Sequence, residues 1–296
     1  MTPHQQHHHD GDEVEIFDRG LRFDVATLID RRRALKLIGA AGLFGIVACG
    51  TGTGATTTLA TPSPTDGASS TTTGASSTTV GAGSETTGSC EVVPEETAGP
   101  YPGDGSNGPN VLDDSGIVRS DIRSSFGESS GVADGIPLTI GLTVQDAANG
   151  CAALAGAAVY LWHCDREGNY SMYSEAAAGE NYLRGVQQTD GSGVASFESI
   201  FPACYPGRWP HIHFEVYPDV ASATASENKI ATSQIALPEG ACQLVYATSG
   251  YERSIETLSQ VSLAGDNVFG DGWEQELGTV SGDVGAGMTV ELTIAI

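Results

Sequence analysis

Leu138, Ile140, Leu142 and Val144 alternate with Thr139, Gly141, Thr143 and Gln145. A two-residue period of this kind predicts a strand with one apolar face and one polar face. Residues 157–163 predict a second strand, ended by the turn-forming run Asp165-Arg166-Glu167-Gly168-Asn169. Residues 185–189 and 194–200 flank Asp190-Gly191-Ser192-Gly193, which reads as a hairpin. Residues 211–217 put Ile212, Phe214 and Val216 on one face and His211, His213, Glu215 and Tyr217 on the other. Residues 230–237 predict a further strand. Met288, Val290, Leu292 and Ile294 alternate with Thr289, Glu291, Thr293 and Ala295 in a closing one. Residues 254–263 predict at most one short helix. Several short alternating strands separated by turn signals predict a mainly β chain, an antiparallel β-sandwich with long loops.

The earlier part of the chain has a different pattern. Residues 1–30 are polar and include His4, His7, His8 and His9, to which no role is assigned because they precede a segment of export-signal type. Arg31-Arg32-Arg33-Ala34-Leu35-Lys36 leads into an apolar, glycine-rich run too short to span a bilayer comfortably, as in a signal peptide. The paired arginines resemble a twin-arginine export signal. Ile46-Val47-Ala48-Cys49 resembles a lipobox, in which Cys49 would carry lipid and become the mature N-terminus. Thr, Ser, Gly and Ala then dominate through residue 89, and such a composition cannot bury a core. The expected organisation is a signal segment over 1–49, a disordered Thr/Ser/Gly linker over 50–92 and a folded domain over 93–296. The protein is expected to be exported, either anchored at the cell surface or extracellular, with membrane contact only through lipid at Cys49.

Charge narrows the partners. The 296 residues hold 13 basic and 37 acidic side chains, a net of −24. After Cys49 the balance is 7 basic against 30 acidic, a net of −23, which repels phosphate backbones and argues against nucleic acid. Five cysteines follow Cys49: Cys90, Cys151, Cys164, Cys204 and Cys242. An exported setting permits disulfides, and the odd number leaves at least one thiol unpaired if the bonds are internal. The spacing gives no connectivity. Cys204, next to Tyr205, reads as half of a structural bridge.

Candidate chemistry centres on the strand of residues 211–217. Its period places His211 and His213 on one side, close enough to share a metal ion. Taken alone, the His-x-His pair is equally a feature of a plain surface strand. Upstream, Pro206, Gly207 and Pro210 force an irregular loop able to hold Tyr205 and Arg208 over the same face. Beyond the leader the histidines are His163, His211 and His213, and no third imidazole follows His213 as a zinc site would want. Two histidines with two tyrosines suit a different ion. Phenolate is a hard anionic donor for ferric iron, and a metal can ionise a phenol whose free pKa is near 10. His163, one residue beyond Trp162, reads as structural.

Three ordered motifs carry a resemblance. They are Trp162-His163-Cys164-Asp165-Arg166-Glu167-Gly168-Asn169-Tyr170, Arg184-Gly185-Val186-Gln187-Gln188-Thr189-Asp190-Gly191-Ser192-Gly193, and Tyr205-Pro206-Gly207-Arg208-Trp209-Pro210-His211-Ile212-His213. Together they resemble the intradiol ring-cleavage dioxygenases, the family of catechol 1,2- and protocatechuate 3,4-dioxygenases. The likeness runs from about Thr97 to Leu237. It implies an Fe(III) cofactor held by Tyr170, Tyr205, His211 and His213, with Tyr170 and His211 equatorial and Tyr205 and His213 axial. It further implies a catechol substrate that binds as a chelating dianion and reacts with O2 to give a cis,cis-muconate. Tyr205 would leave the metal and take a proton, and Arg208 would orient the ring and stabilise its negative charge. Tyr101 and Gln234 fall where the family lines its substrate pocket.

The chain departs from the family in two ways. Six positions separate Tyr205 from His211, a shorter excursion than in the well-studied members, which would open the site to larger or less polar catechols. The helical dimerisation segment of catechol 1,2-dioxygenases has no counterpart, so oligomeric state does not follow from the resemblance. A second reading of the same sequence is a non-enzymatic cell-surface β-sandwich, a binding module on a flexible stalk. It needs no metal and would tolerate loss of Tyr170 and His211 together.

Overall fold

Nine strands stack into two sheets over residues 90–296, the residues that the computed structural model describes. They are β1 (Pro137–Asp146), β2 (Ala152–Ala153), β3 (Ala158–Trp162), β4 (Arg184–Gln188), β5 (Val194–Ile200), β6 (His211–Tyr217), β7 (Ala231–Ala236), β8 (Thr279–Asp283) and β9 (Gly287–Ala295). One sheet runs β2-β1-β9-β8, with β5 also paired along β1, and the other runs β4-β3-β6-β7. The signal-type segment, Cys49 and the linker through residue 89 lie outside the described residues.

The two sheets face each other across an apolar layer. Leu138, Ile140, Leu142 and Val144 of β1 meet Val159 and Leu161 of β3, Ile212, Phe214 and Val216 of β6, and Val290, Leu292 and Ile294 of β9. Each such side chain contributes roughly 1.5–3 kcal/mol by leaving water. A one-residue slip of β6 would therefore drive His211 and His213 into this layer and expel Ile212, Phe214 and Val216. Core packing fixes the side on which the imidazoles emerge.

That second side is covered as well. All seven residues of β6 are buried. Val111, Leu112 and Ile117 from the long loops before β1 pack with Tyr160, Trp162, Tyr170 and Tyr217 over the outer face of the second sheet. The polar face of β6 thus looks into an enclosed space between sheet and loops, rather than toward bulk water.

The sandwich matches the expectation, with three differences of detail. β9 runs parallel to β1, Leu138 opposite Met288 through Gln145 opposite Ala295, while the other ladders are antiparallel. A short turn joins β9 to β8, its antiparallel neighbour, but no short turn joins it to β1, from which it is separated by most of the domain, so the parallel pairing with β1 is open to it. The expected hairpin at Asp190–Gly193 is a turn without a ladder. Gly193 N–H donates to the Asp190 carbonyl at 2.9 Å, but β4 then pairs with β3 and β5 with β1 in the opposite sheet. Turn chemistry reverses the chain; it does not choose the partner. The short helix expected within residues 254–263 is present as α2 (Glu252–Leu258), and a further one, α1 (Glu239–Tyr246), precedes it.

Cys90 is bonded to Cys151, and Val92 bridges Ala295, so the folded body includes the chain from Cys90 onward. The bridge expected at Cys204 is not formed. Cys164, Cys204 and Cys242 are free and buried, each thiol facing a backbone carbonyl instead of another sulfur. Burial pushes the Cys204 thiol up to about 12, so it stays protonated and inert.

Candidate metal centre

His211 and His213 leave β6 on the same face, as the two-residue period requires, and their Nε2 atoms stand 3.1 Å apart. His211 Nδ1 lies 2.5 Å from the Trp209 carbonyl oxygen, which can only accept, so Nδ1 carries the hydrogen and Nε2 keeps a lone pair. Burial first, then the nearby Arg208 charge, holds His211 well below the ordinary imidazole range. His213 is depressed by burial, then by His211 and Arg208. Both rings are neutral, with nitrogen atoms converging on one point.

Tyr205 arrives on a tight turn. Pro206 and Gly207 occupy its two central positions, Gly207 has φ +88°, and Arg208 N–H closes it onto the Tyr205 carbonyl at 3.4 Å. Proline followed by a positive-φ glycine is the signature of a type II turn. Tyr205 Oη reaches to 3.2 Å from His211 Nε2.

Tyr170 follows the turn after β3, where Asp165 accepts the backbone N–H groups of Glu167 and Asn169 at 3.0 and 2.8 Å. Its own N–H donates to Ser174 Oγ at 2.9 Å. Its hydroxyl lies 3.3 Å from Tyr205 Oη and 3.4 Å from His211 Nε2. Burial, followed by the Tyr205 phenol, drives the Tyr170 hydroxyl well above its usual value. Absent a cation, this phenol keeps its proton.

Four of the six separations among these atoms suit donors to one ion. Donors bound about 2.1 Å from a shared metal lie about 3.0 Å apart at right angles and about 3.4 Å apart in a tetrahedron. The observed separations of 3.1 to 3.4 Å fall in that interval. Among the described residues no group of three or more His, Cys, Asp or Glu side chains could hold a metal. The phenols are what complete this set, and their hard oxygens suit a highly charged ion.

The surroundings fix the donors. The His213 ring stacks on Trp162, its cross-strand neighbour, and Gln234 of β7 flanks His213 on the other side. His213 Nδ1 is buried with no hydrogen-bond partner among the described residues. Gly99 has φ +69°, and a Cβ there would stand 3.3 Å from His213 Cε1, so the loop approaches the ring as closely as a glycine permits.

Arg208 is buried beside the cluster, its Nη2 donating to Gln234 Oε1 at 2.7 Å and its Nε to Asp266. Gln234 in turn donates to the Thr97 carbonyl at 2.9 Å. Tyr101 packs on Tyr170 and on Tyr173 with ring centroids 5.0 and 5.3 Å apart. The sequence-derived residues Tyr170, Tyr205, Arg208, His211, His213, Tyr101 and Gln234 therefore gather in one region.

His163 stands apart, its Nδ1 donating to the Cys164 carbonyl at 2.8 Å and its Nε2 2.7 Å from Ser199 Oγ. Glu215 is engaged elsewhere, by Lys229 at 2.6 Å and Tyr217 at 2.7 Å. Sequence reasoning missed Trp162, Gly99 and Asp266. Alternation could have paired Trp162 with His213 had the β3–β6 register been known; Asp266 carries no local signal.

The family model described as Dioxygenase matches residues 108–224, a span that holds Tyr170, Tyr205, Arg208, His211 and His213. Among solved structures, an intradiol ring-cleavage dioxygenase from Tetranychus urticae is 26% identical with a TM-score of 0.54, the match covering 70% of this chain and 94% of that one. A second solved dioxygenase is also 26% identical, with a TM-score of 0.55 and the same coverage of 70% and 94%. No curated protein matches the chain. In motifs and in fold, this chain resembles the intradiol ring-cleavage dioxygenases.

Proposed function

We propose that this chain, similar to the intradiol ring-cleavage dioxygenases, is an exported enzyme that opens catechols between their two hydroxyl-bearing carbons. Both atoms of O2 enter the product, a cis,cis-muconate. The observation that carries this reading is the convergence of His211 Nε2, His213 Nε2, Tyr170 Oη and Tyr205 Oη within 3.1 to 3.4 Å along the measured edges. These four side chains would hold ferric iron, which when bound draws electron density from a chelated catecholate so that a ring carbon can meet O2.

The chain's own residues divide the remaining work. Tyr170 is 2% exposed and anchored through its backbone, which suits a donor that stays in place. Tyr205 is less buried and sits on a two-residue turn, which suits the donor that would give way to substrate and, as a phenolate, take up a catechol proton at Oη to become the neutral phenol. His211 is held in one tautomer by the Trp209 carbonyl. Arg208, buried and charged beside the donors, would orient the substrate and stabilise its negative charge. Tyr101 offers an aromatic wall for a planar ring. The signal-type segment and Cys49 support an enzyme that works outside the cytoplasm, on small aromatic molecules rather than on nucleic acid.

Incubation of iron-loaded protein with a panel of catechols under 18O2 tests this directly. Muconates carrying two labelled oxygen atoms are expected. Oxygen uptake that yields only quinones would leave an iron site without ring cleavage and overturn the reading.

A further inference from the structure

We infer that Asp266 is a positioning residue of this site: its carboxylate fixes the Arg208 guanidinium and the Trp209 peptide that orients His211. The inference rests on the dioxygenase reading for what Arg208 does to substrate. Asp266 lies 58 residues beyond Arg208 and outside the residues matched by the family model.

The carboxylate is buried, and all its recorded hydrogen bonds come from donors. Oδ1 accepts from Val268 N–H at 2.9 Å and Phe269 N–H at 3.2 Å, closing its own turn. Oδ2 accepts from Trp209 N–H at 2.6 Å and from Arg208 Nε at 3.1 Å, and Arg208 Nε also lies 3.3 Å from Oδ1. The Arg208 and Asp266 side chains are 4% and 0% exposed, so each charge depends on the other in a medium that screens little.

Two links run from this carboxylate to the donor cluster. The first is the guanidinium itself, held on one side by Asp266 and on another by Gln234, the cross-strand neighbour of His213. Phe269, on the turn that Asp266 closes, packs against both Arg208 and His211, at 5.9 and 6.5 Å. The second link is one peptide long. Trp209 gives its N–H to Asp266 and its carbonyl oxygen to His211 Nδ1. A carbonyl that accepts from a ligating imidazole sets the tautomer and plane of the ring; Asp266 sets the position of that carbonyl. Asparagine cannot replace it, because either amide orientation turns an NH2 group toward N–H donors.

Asp266→Asn, Arg208→Gln and the double substitution are compared in the full chain. Before iron loading, NMR hydrogen exchange of Arg208 Nε–H and the Trp209 amide is expected to be slow in the unsubstituted chain and at least about tenfold faster in Asp266→Asn. After loading, Asp266→Asn is expected to keep the tyrosinate-to-iron colour while kcat/KM for catechol falls about a hundredfold. The double substitution should lose less than the product of the two single losses, because one of the two links runs through Arg208, which a merely structural role would not give. Rapid exchange at Arg208 Nε–H in the unsubstituted chain overturns the inference, as does undiminished turnover in Asp266→Asn or losses that multiply in the double. Should Asp266→Asn fail to fold, the exchange rates of the unsubstituted chain decide. If the unsubstituted chain opens no catechol, the dioxygenase reading falls, and those rates still decide whether Asp266 holds Arg208 and Trp209.

Discussion

The imidazole of His213 lies flat on the indole of Trp162, ring centroids 4.9 Å apart and planes 4° from parallel. The pair is a direct consequence of register, since Trp162 of β3 stands opposite His213 of β6. A stack of this kind fixes the plane of the ring without using either of its nitrogens. That matters here, because Nε2 faces the donor cluster and Nδ1 has no partner among the described residues.

Trp162→Leu removes the stack and leaves a cavity in a fully buried position. It should cost about 2–4 kcal/mol in urea unfolding. It should also weaken iron retention, read as faster loss of iron to a chelator. Unchanged iron retention in a folded variant would show that Trp162 does not orient His213.

The two phenols should separate by substitution. Tyr170→Phe is expected to abolish most of the visible charge-transfer absorption and the activity together, as the more buried oxygen donor is lost. Tyr205→Phe should keep colour through Tyr170 but lose kcat by on the order of a hundredfold, because the proton acceptor on the turn is gone. Absorption spectra and steady-state rates of the two variants check this. Equal loss of colour in both would contradict the division of roles.

Gly99→Ala probes the closest approach of the loop to the site. A left-handed conformation costs a side chain about 1–2 kcal/mol, and the added Cβ presses on His213 Cε1. Lower thermal stability with a shifted charge-transfer band is expected. A band and midpoint identical to those of the unsubstituted chain would mean that the loop yields freely.

Glu276 gives a pH dependence whose sign is opposite to that of most carboxylates. It is buried, its Oε1 accepts from Ser233 Oγ at 3.0 Å, and its Oε2 has no partner among the described residues. Burial first, then the charge of Glu96, pushes its carboxyl from 4.5 up to about 8. The unfolded chain releases this proton near 4.5, the folded chain only near 8. The stabilising contribution is therefore complete at pH values below 4.5 and is lost as pH rises through 8, by on the order of 5 kcal/mol. Glu276→Gln should gain stability relative to the unsubstituted chain between pH 5 and pH 8. Parallel stability curves across that range would refute the shift.

What the sequence made legible was what local period and local turn chemistry determine. The alternation of Leu138 to Val144 and of Ile212 to Val216 located β1 and β6, and the same alternation put His211 and His213 on one face. Pro206-Gly207 announced the turn that carries Tyr205. Partner choice was not legible. Asp190–Gly193 reads as a hairpin, yet β4 pairs with β3 and β5 with β1. The direction of β9 along β1 and the reach of Asp266 back to Arg208 depend on contacts between distant segments, which no window along the chain contains. The donor set could be named from three motifs, but its enclosure by Trp162, Gly99 and the loops before β1 needed the fold.

The most direct measurement is the metal content and visible spectrum of the folded chain purified from iron-replete cells. One ferric ion per chain, with a broad tyrosinate-to-iron absorption that gives a reddish colour and is largely lost in Tyr170→Phe, is the expected result. A colourless, iron-free protein that takes up no ferric iron on titration would contradict a shared ion among Tyr170, Tyr205, His211 and His213.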